Sequence, residues 1–322
     1  MERTMTNTKH KSVTPILVTG AERTGTTWVG HMLTASGEAA YISETFNVFD
    51  RRIWMYPAVQ RWCTYICHEN EGQYLPAMQN IQRFRYPLWT AARSIHSRKD
   101  IRDIFFDWAE FFRGRLFHKR LLMKDPSAIF SAPWLTKHLG FDVVVTIRHP
   151  LAFVSSRKRL NWPIRFNDWL DQPLLVQDVI GPYYDEIKRV QQDAQSGKAD
   201  VIDLASMYWR IIYQVVARYR EQYPQFVFVR HEDLSLQPVR GYREMYARLG
   251  LTFTCRSEKE IVESSGAKNP KEVSKQRPYA IRLDSRTNLD NWRQRLSADE
   301  IRRIRNLTED VAALYYSDME WE

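Results

Sequence analysis

Short apolar runs, each closed by a polar or charged residue, recur along the chain at Ile16–Thr19, Ala40–Ser43, Leu121–Met123, Val143–Ile147 and Phe226–Val229. Runs rich in β-branched or aromatic residues suit strands buried on both faces, and helical patterns between them make those strands parallel. The clearest helical pattern extends from about Asp203 to Tyr223, where Leu204, Met207, Tyr208, Ile211, Ile212, Val215 and Tyr219 share one face. Ser297-Ala298-Asp299-Glu300 is a capping box opening another helix, expected to bury Ile301, Ile304, Leu307, Val311 and Leu314. The pattern predicts an α/β fold: a central parallel sheet of about five strands with helices on both faces. It is expected to occupy residues 13–322 as one domain, behind a flexible tail at 1–12.

Two stretches fit this alternation poorly. Residues 51–118 carry Trp54, Tyr56, Trp62, Tyr65, Trp89, Phe105, Phe106, Trp108, Phe111 and Phe112 among Arg83, Arg85, Arg93, Arg98 and Arg102. They are expected to form a mainly helical insertion. Residues 264–286 are polar and basic with two prolines, and are expected to form a long loop. Long loops inside compact domains are often functional lids.

The first apolar run leads into Gly20-Ala21-Glu22-Arg23-Thr24-Gly25-Thr26-Thr27-Trp28, which has the glycine spacing of a nucleotide P-loop. Thr26 stands where that motif has its lysine. Such a turn still aims backbone N–H groups and a helix N-terminus at an anion. The grip on a β/γ-phosphate pair is missing, and the loop's own cation is Arg23. The expected fold is therefore P-loop-like and three-layered, with a phosphate-like ligand other than ATP or GTP.

Composition narrows the ligand. The 322 residues hold 47 Lys and Arg against 38 Asp and Glu, a net charge of +9, which favours anionic partners. Cys63, Cys67 and Cys255 are too few for a disulfide framework, and the Cys63/Cys67/His68 group lacks a matching second ligand pair, so packed thiols are expected. The first dozen residues are polar and basic without a signal-peptide apolar core, and no run approaches a bilayer span. A soluble, cytoplasmic protein is expected.

Ligands of open α/β sheets bind beyond the carboxyl ends of the strands. The residues following the five runs are Arg23 with its loop, Glu44, Lys124-Asp125, Arg148-His149-Pro150 and Arg230. Three cations and two carboxylates would then share one rim with the anion loop. Here the chain resembles the sulfotransferases that use 3′-phosphoadenosine 5′-phosphosulfate (PAPS). Arg23-Thr24-Gly25-Thr26-Thr27-Trp28 matches their loop after the first strand. Arg148-His149-Pro150 with Ser156 matches their Arg–x–Pro segment and its serine. Phe228-Val229-Arg230-His231-Glu232-Asp233-Leu234, with Pro238 and Leu249-Gly250-Leu251, matches a later segment.

The resemblance implies the following roles. Arg23, Thr24, Gly25, Thr26 and Thr27 would wrap the 5′-phosphosulfate, Trp28 would stack on adenine, and Arg148 and Ser156 would bind the 3′-phosphate. Arg286, just before Asn291-Trp292-Arg293, would be a second 3′-phosphate contact, although the family's Lys-Gly pair is missing there. Arg23 and Lys124 would balance charge during sulfuryl transfer. No metal is required. The histidine base of the small-molecule branch is replaced by Pro126, so Glu44 becomes the general base and Asp125 its reserve. The acceptor would be a hydroxyl, expected on a saccharide facing the 51–118 insertion, with 3′-phosphoadenosine 5′-phosphate as the other product.

Two other classes compete. A P-loop small-molecule kinase would need the lysine that Thr26 replaces and an acidic magnesium-binding strand end. A non-catalytic polyanion or nucleic-acid binder would carry a basic run or stripe, whereas the cations here sit at separate strand ends.

Overall fold

The computed structural model describes residues 14–49, 59–274 and 280–322. The expectations for the tail at 1–12, for Trp54 and Tyr56, and for residues 275–279 of the basic loop lie outside the described residues. Five strands form where the apolar runs place them: β1 (Ile16–Gly20), β2 (Ala39–Ser43), β3 (Arg120–Lys124), β4 (Asp142–Ile147) and β5 (Val227–Arg230). They make one sheet in the order β2-β3-β1-β4-β5, every pairing parallel. The first strand is thus central, flanked by β3 and β4. The crevice where the order reverses lies beside its carboxyl end.

The connections supply α1 (Thr26–Thr34), α2 (Leu75–Gln82), α3 (Leu88–Arg93), α4 (Arg98–Leu116), α5 (Ala132–Leu139) and α6 (Pro150–Leu160). After these come α7 (Asn167–Leu170), α8 (Pro173–Leu175), α9 (Tyr184–Gln195), α10 (Val201–Gln222), α11 (His231–Leu236), α12 (Pro238–Leu249), α13 (Cys255–Ser265) and α14 (Ala298–Ala312). Alternation along β1 divides the core in two. Leu17 joins Phe153, Trp209 and Ile212 of α6 and α10 on one face. Ile16 and Val18 join Val29, Leu33, Tyr242 and Tyr246 of α1 and α12 on the other. Each such buried apolar side chain contributes about 1.5–3 kcal/mol relative to exposure, which holds the layers together.

The helix expected at 203–223 is α10, opened by a capping box in which Asp200 accepts from the N–H groups of Ile202 and Asp203. The box at Ser297 opens α14 as expected. Its buried face is Ile304, Thr308, Val311 and Ala312, while Leu307 and Leu314 are exposed. Leu307 lies at the border of the stripe that meets α10, and Leu314 follows the helix's end at Ala312. In the 51–118 stretch, α4 covers the open edge of β2. Phe111 packs its ring 5.8 Å from Phe84, and a Cβ on Gly114 would meet that same ring at 2.5 Å.

His149 closes β4 and caps α6, its Nδ1 accepting from the Leu151 N–H at 3.3 Å. Edge-on contacts with Tyr316 and Trp321 bury it, and burial lowers its pKa to about 3. The unfolded chain takes up this proton near pH 6.5 and the folded chain does not. The corresponding stability is present above pH 6.5 and is lost as pH falls toward 3. Scanning calorimetry should therefore show a midpoint that drops steeply below pH 6.5. His149→Asn should start lower at pH 7.5, having lost the ring packing, but fall less steeply; parallel curves would refute the assignment.

Candidate active site

Gly20 ends β1 at φ 143°, where a Cβ would sit 2.5 Å from the Thr146 carbonyl, so the chain can turn only without a side chain. Gly25 caps α1 in the left-handed region at φ 94°, and a Cβ there would lie 2.6 Å from His231 Nδ1. Among the described residues no side chain caps α1, which leaves its first amides turned to the loop's concave side. Arg23 also takes a positive φ of 71°. Its guanidinium donates to Ser156 Oγ at 3.3 Å and lies over the Trp162 ring, while its carbonyl accepts from Arg148 Nη1 at 2.8 Å. The loop and the β4–α6 segment are thus tied together.

Beyond β2, Glu44 turns the chain at φ 52°. Its Oε1 accepts from Lys124 Nζ at 2.5 Å and its Oε2 from Asn47 Nδ2 at 3.1 Å. The Lys124 side chain is only 2% exposed, shut in by Gly30, where a Cβ would meet the lysine's Cβ at 3.3 Å. Asp125 is equally buried and bound to backbone: Phe46 N–H donates to Oδ2 at 2.6 Å and Ser127 N–H to Oδ1 at 2.9 Å. Burial pushes its carboxyl up to about 7, helped by the Glu44 charge and opposed by these amides and by Lys124.

Arg148 is buried, and its Nε meets no hydrogen-bond partner among the described residues. Burial lowers its pKa, with Glu232 opposing and Arg295 adding to the fall. A buried guanidinium next to a second arginine calls for an anion. His231 is also buried, with neither ring nitrogen partnered among the described residues, and burial beside Arg148 and Arg23 holds its pKa well below the usual value.

A cavity of about 440 Å³ joins these groups. Arg23, Gly25, Thr26, Thr27, Trp28, Glu44, Arg148 and Ser156 all line it, so most of the expected rim converges. Lys124 reaches it through Glu44, with Asp125 behind. Thr24 does not: its hydroxyl is spent on the Ala21 carbonyl and Thr146 Oγ1, both at 2.6 Å, and shapes the loop from inside. Arg230 is not on this rim either. It closes the edge strand β5, where Glu320 pairs with it and Tyr316 lies under its guanidinium, because the C-terminal segment covers that edge. Arg286 also lies off the wall, donating to the Leu236 carbonyl at 3.1 Å. Trp28 is buried against Tyr242 and His231 and donates to Ser264 Oγ at 2.9 Å.

Sequence reasoning passed over half of the wall. Trp162, Trp169, Tyr208, Arg157, Arg165 and His231 line the cavity, whereas Trp62 is the one ring of the expected 51–118 set, among its described members, that does. Trp162 follows the end of α6, six positions after Ser156, a signal that was available. Tyr208 and Trp169 meet the cavity only through packing: Tyr208 Oη donates to Glu22 at 2.8 Å, and Arg157 lies over its ring. Cys63 is buried on the wall, where burial pushes its thiol pKa up, while Cys67 is half-buried and Cys255 exposed. No group of three or more potential metal ligands occurs among the described residues.

A family model described as the sulfotransferase family matches residues 15–255. A carbohydrate sulfotransferase 1 of Danio rerio is 32% identical over 77 residues, which is 23% of this chain and 17% of that protein. Among solved structures, a sulfotransferase domain from the curacin biosynthetic pathway superposes with a TM-score of 0.50 at 14% identity, over 94% of this chain and 98% of that one. A sulfotransferase domain from the Synechococcus PCC 7002 olefin synthase covers 96% of this chain and 97% of its own at 16% identity, with a TM-score of 0.44. At such identities the curacin-pathway domain testifies to the fold alone.

Proposed function

The chain belongs to the sulfotransferase family, and on that premise we propose that it moves the sulfuryl group of PAPS to a hydroxyl of a carbohydrate or glycoconjugate. One observation carries the donor reading: Arg148, buried with an Nε that has no partner among the described residues, stands with Ser156 and Arg23 on the cavity that the start of α1 enters. Donors so placed fit phosphate-like anions. The amides of Thr26 and Thr27 with Arg23 would hold the phosphosulfate; Arg148 and Ser156 would hold the 3′-phosphate.

The acceptor oxygen attacks sulfur, its proton passes to Glu44, and the bond from sulfur to the bridging oxygen breaks. The electron pair leaves on the 5′-phosphate of 3′-phosphoadenosine 5′-phosphate. The contacts from Lys124 and Asn47 support Glu44 as the base, because they orient a carboxylate that still reaches the cavity. Asp125, buried behind it and bound by two amides, serves better as the post that shapes the loop after β2. The rings of Trp62, Trp162 and Tyr208 and the Danio rerio relative's name support a saccharide acceptor.

Calorimetric titration tests the donor side. 3′-Phosphoadenosine 5′-phosphate should bind at least about tenfold more tightly than adenosine 5′-phosphate, a difference of ~1.4 kcal/mol. Equal affinities, or tighter binding of ATP, would return the site to the kinase reading. Incorporation of labelled sulfate from PAPS into saccharides, but not into phenols or sterols, would support the acceptor class.

A further inference from the structure

Helix α4 carries a second apolar face that neither the core nor the cavity uses. At 3.6 residues per turn, Ile101, Phe105, Trp108, Phe112 and Leu116 fall on one stripe about 80° wide. Ile101, Phe105, Phe112 and Leu116 are each at least 50% exposed. Phe105 lies 6.1 Å from the Trp108 ring, and Phe112 stacks on Trp108 at 5.4 Å. Further round the helix Phe106 is 63% exposed, and Phe117 at its C-cap is 64% exposed. Single exposed rings are ordinary, but a contiguous run marks a contact surface. The helix does not need this stripe to pack, since Phe111 and Gly114 already seat it on Phe84 at the β2 edge.

The charges around the stripe indicate its partner. Residues 83–119 hold nine Lys and Arg against four Asp and Glu, in a chain whose whole net charge is +9. On the helical wheel Arg98, Arg102 and Arg113 border one side of the stripe and Arg115 the other. Asp100, Asp103, Asp107 and Glu110 fall on the remaining arc. A second copy docked by two-fold symmetry would bring like-charged borders together. A helix face is convex, and the headgroup–acyl boundary of a bilayer accepts such a face without a complementary groove.

We propose that the outer face of α4, with Phe106 and Phe117 at its flank, docks this protein on an anionic lipid surface. Rings enter the interface while arginines meet lipid phosphates and carboxylates. No helix among the described residues is long and apolar enough to cross a membrane, so the helix lies along the surface. The inference stands apart from the sulfuryl-transfer reading.

Co-sedimentation of the full chain with vesicles tests it. Vesicles of phosphatidylcholine with about 30% phosphatidylserine should retain the protein at least ~10-fold better than phosphatidylcholine alone. Salt at about 0.5 M should release most of it by screening. F105S/F112S should abolish retention with an unchanged thermal midpoint. R98E/R102E, confined to exposed side chains, should lower retention selectively on the anionic vesicles. Failure to sediment with either vesicle overturns the proposal, and so does equal retention by neutral ones. Elution as a dimer that F105S/F112S converts to monomer would assign the stripe to a second copy and overturn it equally.

Discussion

Glu44→Gln is expected to keep donor affinity and lose about a hundredfold or more in kcat, the usual worth of a positioned proton acceptor. Glutamine preserves the shape, and its one amide oxygen can still accept from Lys124, at the loss of the contact that Asn47 Nδ2 now donates to the second carboxylate oxygen. It cannot take the acceptor's proton. Any carboxylate is a weak base toward a resting alcohol, so transfer must come late, as the attacking oxygen becomes acidic on bonding to sulfur. The substitution also leaves Lys124, 2% exposed, without its counter-charge, which lowers stability. Rates should therefore be taken well below the variant's melting midpoint, beside a calorimetric donor Kd. Asp125→Asn should lower the midpoint through its lost amide contacts and spare more of the rate. Near wild-type turnover in Glu44→Gln together with a dead Asp125→Asn would move the base to Asp125.

Arg148→Ala is expected to raise the Kd for 3′-phosphoadenosine 5′-phosphate about 10- to 100-fold. Charge-assisted hydrogen bonds of about 1.5–3 kcal/mol translate into that range. Arg148 also donates to the Arg23 carbonyl, so its loss could loosen the loop as a whole. Adenosine 5′-phosphate separates the two effects. If Arg148 reads the 3′-phosphate, affinity for the ligand lacking it stays within a factor of about two. A parallel loss for both ligands would reduce Arg148 to a brace for the loop.

The sheet was legible because strands buried on both faces must be nearly continuous apolar runs, and β1, β3 and β4 are buried at almost every position. The loop was legible because its two glycines sit where no Cβ fits. Arg230 shows the limit of reading function from strand ends. Its position matches that of Arg148, but β5 is an edge strand, and residues more than eighty positions later fold back to occupy its cation. The aromatic wall was hidden for a related reason. Tyr208 faces the core stripe of α10 in any helical pattern, and only the approach of Glu22 and Arg157 gives its hydroxyl a place on the cavity. In 51–118 the abundance of rings pointed to the acceptor, whereas packing sends Phe111 inward and Phe105, Phe106 and Phe112 outward to solvent.

The central position of β1 sets a timetable for synthesis. Ile16 pairs with Leu122 on one side and Asp142 on the other, so during synthesis β1 waits more than a hundred residues for either neighbour. The last strand pairs through Val227–Arg230. Until β3 and β4 are made, β1 and β2 are apolar segments without their neighbours, the kind that aggregate when they meet copies of themselves. Pairings this distant in sequence also slow the search for the native sheet. Nascent chains stalled before α10 and α12 have emerged should stay protease-sensitive, because those helices cover the two faces of β1, and protection should rise once residues 201–249 are outside the ribosome. Recovery of soluble protein should then respond more to slower translation and available holdases than to any single substitution in the core.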